Sequence, residues 1–289
     1  MRVAYSTFLL LLVLAQGCSG PPATPFFFIQ MADTQFGNYA NDEDFEKETE
    51  LFTKAIEHAN RLKPAFIVIC GDLINRPGDP AQREELLRIC SMLDKTISIY
   101  LVPGNHDVGD EPTQESIDWY REKISHDKYG FRYKGTYGIV LNSPVIDSPD
   151  NVPEAYDAQM LFLQKELRRA DAGGYKHIFV FTHHPFFLES PDEEDQYFNI
   201  PIERRKTHLE LFHEYGVEAI FSGHYHRNSY GVDGDIKMIT TGPVGKPLGD
   251  DASGFRIVKV YPDSMRHAYY ALNDVPDEVI VDEEKSRDE

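Results

Sequence analysis

The hydrophobic pattern of the chain repeats one arrangement five times: a short run of β-branched and aromatic residues, followed directly by a short polar segment. Runs of this length and composition predict β-strands. The five predicted strands are Phe26 to Met31, Ala65 to Ile69, Ile97 to Val102, Ile178 to Phe181 and Ala219 to Phe221. Because α/β folds bind ligands beyond the C-terminal ends of their strands, the five polar segments are expected to share one edge.

Between these strands, apolar residues recur at the spacing of α-helices. Four helices are predicted, over Asp42 to Leu62 with Asn41 or Asp42 as its N-cap, Pro80 to Leu93, Ala158 to Ala170, and Glu203 to Tyr215. Later segments predict strands only: Ile236 to Thr241, Phe255 to Tyr261, and Met265 to Leu272. This order indicates an α/β (α+β) fold in which two stacked sheets, one of them partly antiparallel, carry helices on the outside. A single domain over residues 26–273 accommodates it.

The first residues differ from the rest of the chain. Arg2 precedes an apolar run from Phe8 to Ala15, which is too short to span a bilayer but suits a secretory signal over residues 1–18. The run ends at Cys18 in a sequence that resembles a bacterial lipobox, and residues 19–25 are typical of a tether. We therefore expect an exported lipoprotein, anchored by lipid to the membrane of a bacterial cell envelope. The alternatives are a periplasmic or a secreted protein.

The net charge of the chain limits which partners it can bind. With 48 acidic and 29 basic residues, the formal net charge is −19, which argues against nucleic acid as a partner because phosphate backbones bind Lys and Arg clusters. Residues 274–289 contribute eight carboxylates and two bases, and we expect them to form a solvated, disordered tail. Cys70 and Cys90 are expected to be packed thiols rather than a disulfide.

The five polar segments carry metal-binding chemistry. They are Asp33-Thr34-Gln35, Gly71-Asp72, Gly104-Asn105-His106-Asp107, Thr182-His183-His184-Pro185 and Gly223-His224-Tyr225-His226. Carboxylates, amides and imidazoles without a thiolate suit two divalent cations, of Mn, Fe, Zn or Mg. Such a pair shares a bridging carboxylate and a bridging hydroxide that attacks phosphorus in line. The candidate ligands are Asp33, Gln35 and His226 for one cation, Asn105, His183 and His224 for the other, and Asp72 as the bridge.

The order D-x-Q, GD, GNHD, H-x-P and GHxH resembles the calcineurin-like metallophosphoesterase superfamily, in particular a serine/threonine phosphatase branch, over about residues 25–273. The resemblance implies a four-layer α-β-β-α sandwich, a dinuclear centre and phosphoester hydrolysis. It also implies that His106 lies near the leaving oxygen as a proton donor. Asn75 stands where that branch has an Asp that orients this histidine, so Asp107 is a candidate substitute. Arg76, Asn75 and Arg227 are the candidate substrate-binding residues.

Some alternatives stay open at this point. We expect a phosphomonoesterase acting on a small molecule or a phosphoprotein, with a phosphodiesterase as the enzymatic alternative and a metal-poor binding scaffold as the alternative from another class. His183 and His184 compete for one ligand position, and strand alternation points them to opposite faces, which favours His183 in the H-x-P pattern. Residues 185–188 are expected to wall the cleft, and the acidic residues 192–195 to form its solvated rim.

Overall fold

The computed structural model describes residue 20 and residues 24–282 of the chain. Its strands are β1 (Phe26–Met31), β2 (Phe66–Cys70), β3 (Ser98–Val102), β4 (Tyr129–Tyr133), β5 (Thr136–Val140), β6 (His177–Phe181), β7 (Ala219–Ser222), β8 (Ser229–Asp233), β9 (Ile236–Thr240), β10 (Gly254–Val260) and β11 (Met265–Ala271). Its helices are α1 (Glu46–Leu62), α2 (Pro80–Cys90), α3 (Asn105–Val108), α4 (Gln114–Lys123), α5 (Ser143–Asp147), α6 (Pro153–Ala172) and α7 (Ile202–Glu214).

The strands form two mixed sheets. The first has the order β11-β10-β1-β2-β3, in which β1, β2 and β3 run parallel and β10 and β11 are antiparallel additions. The second has the order β4-β5-β6-β7-β9-β8, parallel at its centre and closed by an antiparallel strand at each edge. The two parallel centres bring the ends of β1, β2, β3, β6 and β7 to a common region, as the hydrophobic pattern predicts.

An aromatic core joins the sheets. Phe28 stacks on Phe66 of the neighbouring strand at 4.8 Å between ring centroids and meets Phe221 of the second sheet edge-on at 5.4 Å. The alternate residues of β1, Phe27 and Ile29, point the other way, into a separate core that includes residues of α1 and α2. A third core packs α6 and α7 on the second sheet. Helix, sheet, sheet and helix therefore form four layers, which confirms the predicted sandwich.

Several boundaries differ from the predictions. Helix α1 starts at Glu46 because Asn41 and Asp42 adopt left-handed backbone conformations, and the Asp42 carboxylate accepts hydrogen bonds from Asn75 and Gln82 instead of capping a helix. Helix α6 starts at Pro153, five residues earlier than expected. The prediction missed α3, α4, α5, β4, β5 and β8. Strands β4 and β8 each bury one residue of five, so their periodicity is weak.

The start of the expected acidic tail packs on the domain. Val275, Val279 and Val281 lie against the core beneath α1, and the Arg61 guanidinium donates to the backbone carbonyls of Pro276 and Asp277. The expectation of a disordered tail is therefore wrong for residues 274–282, because its valines cover apolar surface. Residues 283–289 lie outside the described part of the chain.

The predicted signal and most of the tether, residues 1–19 and 21–23, also lie outside the described residues, and Cys18 lies with them. Among the helices that are described, none is long and apolar enough to cross a membrane. Cys70 and Cys90 are free thiols, one buried and one partly buried, as expected.

The buried imidazole of His208 makes the stability depend on pH. Burial lowers its pKa from 6.5 to about 4, so the unfolded chain binds a proton there that the folded chain excludes. The free energy of unfolding therefore falls as pH is lowered from 6.5 towards 4, by up to about 3 kcal/mol from this group.

In urea unfolding of metal-free protein, we expect His208→Leu to lose less stability over this pH interval than the wild type. The exposed His126→Leu serves as control, and an unchanged pH slope in His208→Leu would contradict the account.

Candidate metal centre

Three of the five predicted ligand segments, those after β1, β2 and β7, leave their strands in a backbone conformation that regular structure does not use. Five candidate ligands have backbone φ angles in the left-handed region: Asp33 (51°), Gln35 (38°), Asp72 (48°), His224 (67°) and His226 (53°). This region is uncommon for residues other than glycine, and such strain concentrates at functional sites. The loops are held by backbone hydrogen bonds between segments, for example from Asp33 to Gly71 and from Gly223 to His183.

Two glycines of the motifs are required by close approach. A Cβ atom on Gly71 would lie 2.5 Å from the Nδ1 atom of His183, and one on Gly104 would lie 2.2 Å from the backbone nitrogen and the carboxylate of Asp72. Gly71 also has a φ of 78°. The glycine before Asp72 and the one before Asn105 therefore allow segments from different strands to meet.

Four candidate ligands converge on one point. The Nε2 atom of His183 lies 3.2 Å from an Asp72 carboxylate oxygen, 2.9 Å from the Asn105 amide oxygen and 3.1 Å from Nδ1 of His224. All four side chains are buried. Asp72, His183 and His224 form one of two groups whose ligand atoms lie within 4.8 Å of one another among the described His, Cys, Asp and Glu residues.

The second group is Asp33, Asp72 and His226, so Asp72 belongs to both. Nε2 of His226 lies 3.5 Å from an Asp33 carboxylate oxygen. Gln35 is buried nearby, but its amide oxygen accepts a 2.7 Å hydrogen bond from the Asn38 side chain, and its amide nitrogen donates to Asn75. An amide oxygen has two lone pairs, so Gln35 retains one acceptor site.

The outer ring nitrogens fix how each imidazole is presented. His183 donates from Nδ1 to the Cys70 carbonyl at 2.9 Å, His224 from Nε2 to the Tyr197 carbonyl at 3.0 Å, and His226 from Nδ1 to the Lys246 carbonyl at 2.6 Å. A histidine that binds a metal is held in this way by a partner on its other nitrogen. In the neutral tautomer, the inner nitrogens of His183 and His224 present lone pairs to the space that also receives the Asn105 and Asp72 oxygens. Facing acceptors repel unless a positive charge compensates them, so the site fits a cation.

The pKa values of the clustered side chains indicate the same need for positive charge. Burial opposes a charged His183, but Asp72 and Asp33 outweigh burial and raise its pKa to about 9, so that a proton compensates the carboxylates when no cation does. Burial raises the pKa of Asp33 to about 6. Burial also opposes ionisation of Asp72, yet His183 and His106 hold the pKa of that carboxyl below its ordinary range. Burial, helped by His183, lowers the pKa of His224 to about 3.

His183 and His184 are separated as strand alternation predicts. His184 belongs to neither group; its Nδ1 accepts a 3.0 Å hydrogen bond from the Ser143 hydroxyl, and its ring packs on His224 at 4.3 Å. The same hydroxyl oxygen accepts from the backbone amides of both histidines. Ser143, at the start of α5, therefore orients the whole turn, and His183 is the histidine that faces the cluster.

His106 lies at the edge of the cluster. Its backbone amide donates to the Asp72 carboxylate at 2.9 Å, and its ring donates from Nδ1 to the backbone carbonyl of Asn75 at 2.7 Å. The orienting group is thus the main chain of Asn75 and not its side chain, which binds Gln35 and Asp42. The amide oxygen of Gln82 in turn accepts from the backbone of Asn75.

Asp107 has a different task from the catalytic one expected. Its buried carboxylate accepts backbone hydrogen bonds from Gly104, Leu73 and Ile74, which ties the loop after β3 to the loop after β2. Burial raises its pKa to about 7, with Asp72 adding to the effect. The prediction of a catalytic Asp107 is corrected accordingly, because the carboxylate is taken up by main-chain donors.

Of the three candidate substrate-binding residues, Asn75 contacts the candidate ligand Gln35, whereas Arg76 and Arg227 have other partners. The Asn75 side chain is used by Gln35 and Asp42, and the exposed Arg76 guanidinium forms an ion pair with Asp79 at 2.6 Å. Arg227 donates to the Leu248 carbonyl and lies over the ring of Tyr225. Within residues 24–282, neither guanidinium contacts a candidate ligand.

Sequence reasoning missed residues that come from segments without a motif. Tyr197 accepts the His224 hydrogen bond through its carbonyl, and its hydroxyl lies 3.4 Å from Asn105; Asp110 accepts from the same Asn105 amide at 2.8 Å. Phe186 and Phe187, expected in the cleft wall, are fully buried in the core under α7. The sequence carries no pattern that marks Tyr197 or Asp110, since they meet the cluster only through the tertiary fold.

A two-sheet sandwich with paired groups of buried carboxylate and imidazole ligands at its strand ends defines a metal-dependent hydrolase of phosphoric esters. A family model described as calcineurin-like phosphoesterase matches residues 28–228. The chain belongs to this family, and it is a hydrolase that acts on phosphoester bonds. The family and the two residue groups together imply a centre for two divalent cations.

The relatives agree with this assignment. Serine/threonine-protein phosphatase CPPED1 of Homo sapiens is 37% identical over 275 residues, covering 90% of this chain and 88% of the relative. The Bos taurus protein of the same name is 36% identical over 274 residues, with the same coverage. Among solved structures, a dimetal phosphatase from Danio rerio has a similar fold, with a TM-score of 0.61 at 15% identity over 87% of this chain and 97% of that one. Purple acid phosphatase PPD1 from yellow lupin has a TM-score of 0.64 at 13% identity, covering 87% and 52%.

Binding of a cation should stabilise the folded chain. A ligand at one hundred times its dissociation constant adds about 2.7 kcal/mol, so excess Mn²⁺ should raise the midpoint of thermal unfolding of metal-stripped protein. We expect His183→Ala to lose most of this shift, and His58→Ala, a histidine on α1 outside the cluster, to keep it. A shift that persists in His183→Ala and disappears in His184→Gln would reverse the assignment of the two histidines.

Proposed function

We propose that the protein is a phosphomonoesterase that acts on phosphoproteins through a centre of two divalent cations. The observation that carries the proposal is that Asp72 is shared by two groups of buried acceptor atoms, as a bridging carboxylate would be. The names of its relatives, which are serine/threonine-protein phosphatases, support a phosphoprotein as the substrate class. The complete set of carboxylate, amide and imidazole ligands speaks against the binding scaffold considered above.

Each residue has a separate part in this proposal. Asn105, His183 and His224 would hold one cation, Asp33, Gln35 and His226 would hold the other, and Asp72 would be shared by both. When bound, the two cations would activate a water molecule and neutralise the charge of the phosphoryl oxygens. The seven side chains that would hold the cations are all buried.

His106 is proposed as the proton donor to the leaving oxygen. Because its Nδ1 proton is held by the Asn75 carbonyl, Nε2 is the ring atom that is left to donate. The same hydrogen bond restricts rotation of the ring, and Gln82 fixes the main chain that makes it. Proton donation matters most for strongly basic leaving groups, such as the oxygens of alkyl esters.

Replacing the shared carboxylate is the direct test of this function. Asp72→Asn removes one negative charge from both cations, so we expect metal content to fall and the rate with phosphomonoesters to drop by several orders of magnitude. Metal analysis and hydrolysis assays with mono- and diesters measure both. Asp127→Asn, a buried carboxylate paired with Arg121 instead, is the matched control. Retention by Asp72→Asn of more than about a tenth of the wild-type rate, equal to about 1.4 kcal/mol of barrier, would rule out a dinuclear centre.

We also propose that the protein is exported and held at a membrane by a lipid on Cys18. Arg2, the apolar run from Phe8 to Ala15 and the cysteine that ends it support this. Each buried methylene of an acyl chain adds about 0.8 kcal/mol to membrane binding, so several acyl chains retain a protein firmly.

Cys18→Ser should release or misprocess the protein and leave its hydrolase activity intact. Detergent fractionation, with mass spectrometry of the mature N-terminus, tests it. A wild-type chain that is unmodified and soluble contradicts the anchor.

A further inference from the structure

Three aromatic rings contact one another in turn, beginning at the candidate metal centre. The ring of Tyr197 lies 5.2 Å from that of Phe198, and the ring of Phe198 lies 5.1 Å from that of Tyr225. We call Tyr197, Phe198 and Tyr225 the aromatic row. Tyr197 is 62% exposed, and the other two are partly exposed. The Arg227 guanidinium, 5.2 Å over the Tyr225 ring, ends the row on its far side.

The near end of the row touches the candidate ligands. The Tyr197 hydroxyl lies 3.4 Å from the Asn105 amide nitrogen, and its ring centroid lies 4.9 Å from that of His224. Phe198 also packs on His224, at 5.6 Å. Asn105 belongs to the same segment as His106, so the row contacts the segment that also carries the group proposed to protonate the leaving oxygen.

The loop that carries Tyr197 and Phe198 has no regular secondary structure, yet it is firmly held. The fully buried guanidinium of Arg205 donates to three backbone carbonyls, of Pro191, Glu193 and Ile200. The Glu193 carboxylate accepts from the backbone amides of Leu188, Glu189 and Ser190 and from the Asn199 side chain. The Arg205 guanidinium and the Glu193 carboxylate thus bind the main chain of this loop at several points. We therefore regard the row as a pre-organised surface.

An exposed aromatic ring with two partly exposed rings beside it needs a reason when the group adjoins a polar centre. Single exposed apolar residues are ordinary, but a continuous apolar surface beside convergent polar groups is the usual form of a ligand site. The phosphoryl group of a substrate would lie at the cations, so the remainder of the substrate would lie against the side chains that border them. Tyr197 and Phe198 of the aromatic row border the candidate ligands Asn105 and His224.

We propose that the aromatic row is the subsite for the leaving group and that it favours phosphomonoesters whose leaving group is an aromatic ring. The proposal rests on the proposed function and adds the class of ester to it. Offset or edge-on contacts between rings are worth a factor of about three to ten in affinity, which is enough to set a preference. Tyr197 also packs on His224 and, through its carbonyl, orients that ring.

Phosphonates test this subsite without any bond being broken. Phenylphosphonate and methylphosphonate carry the same head group, and only the first carries a ring. We expect the metal-loaded wild-type protein to bind phenylphosphonate about three to ten times more tightly than methylphosphonate, measured by isothermal titration calorimetry. In Tyr197→Leu and Tyr225→Leu this ratio should fall towards one, because either change removes a ring from the row. Tyr230→Leu, an exposed tyrosine on β8 outside the row, should keep the ratio.

Different results would refute the aromatic subsite and the proposed phosphatase function. Equal affinities of the wild type for the two phosphonates, or a ratio that survives in both row variants, would overturn the subsite and leave the phosphatase assignment standing. Failure of either phosphonate to bind, together with no metal-dependent hydrolysis of any phosphomonoester, would overturn both. Comparing a phosphotyrosine peptide with phenyl phosphate as substrates of the same variants shows whether the ring belongs to a protein or to a small molecule.

Discussion

The buried charge of Asp72 is the constraint on which the rest of the site depends. Its carboxylate lies inside the molecule, and within residues 24–282 no lysine or arginine forms an ion pair with it. An isolated buried carboxylate is very unfavourable unless charge and hydrogen bonds compensate it. His183 and the backbone amide of His106 supply part of that compensation. A pair of cations completes it, and the same positive charge then serves phosphoester hydrolysis.

The fold supplies the site by ending several strands in one region and by making three of the exits tight. Left-handed backbone at five ligand positions, and glycines at which no Cβ would fit, bring side chains from both sheets to within hydrogen-bond distance. The aromatic core between the sheets fixes their separation, so these loops have little freedom to relax. Strain in the loops is therefore balanced by packing beneath them.

The layers of the fold and the candidate ligands could both be predicted, because both depend on patterns among residues that are close together in the sequence. Apolar runs mark the parallel strands, and the polar residues that follow each run lie at its end. Asp107 was misread because its partners are main-chain amides of another loop, which no side-chain pattern reveals. Tyr197 could not be found for a similar reason: it reaches His224 and Asn105 only through the tertiary fold. The packing of the valines in residues 274–282 was not predicted, because the surrounding carboxylates make the segment look like a solvated tail.

The central claim is that the two groups sharing Asp72 hold two cations in each chain. Isothermal titration of metal-stripped protein with Mn²⁺ measures this stoichiometry directly, with the metal content of the dialysed complex as a second reading. The account predicts two cations per chain, the second binding to a site that the first has helped to organise. A stoichiometry of one or less in fully folded protein would contradict it.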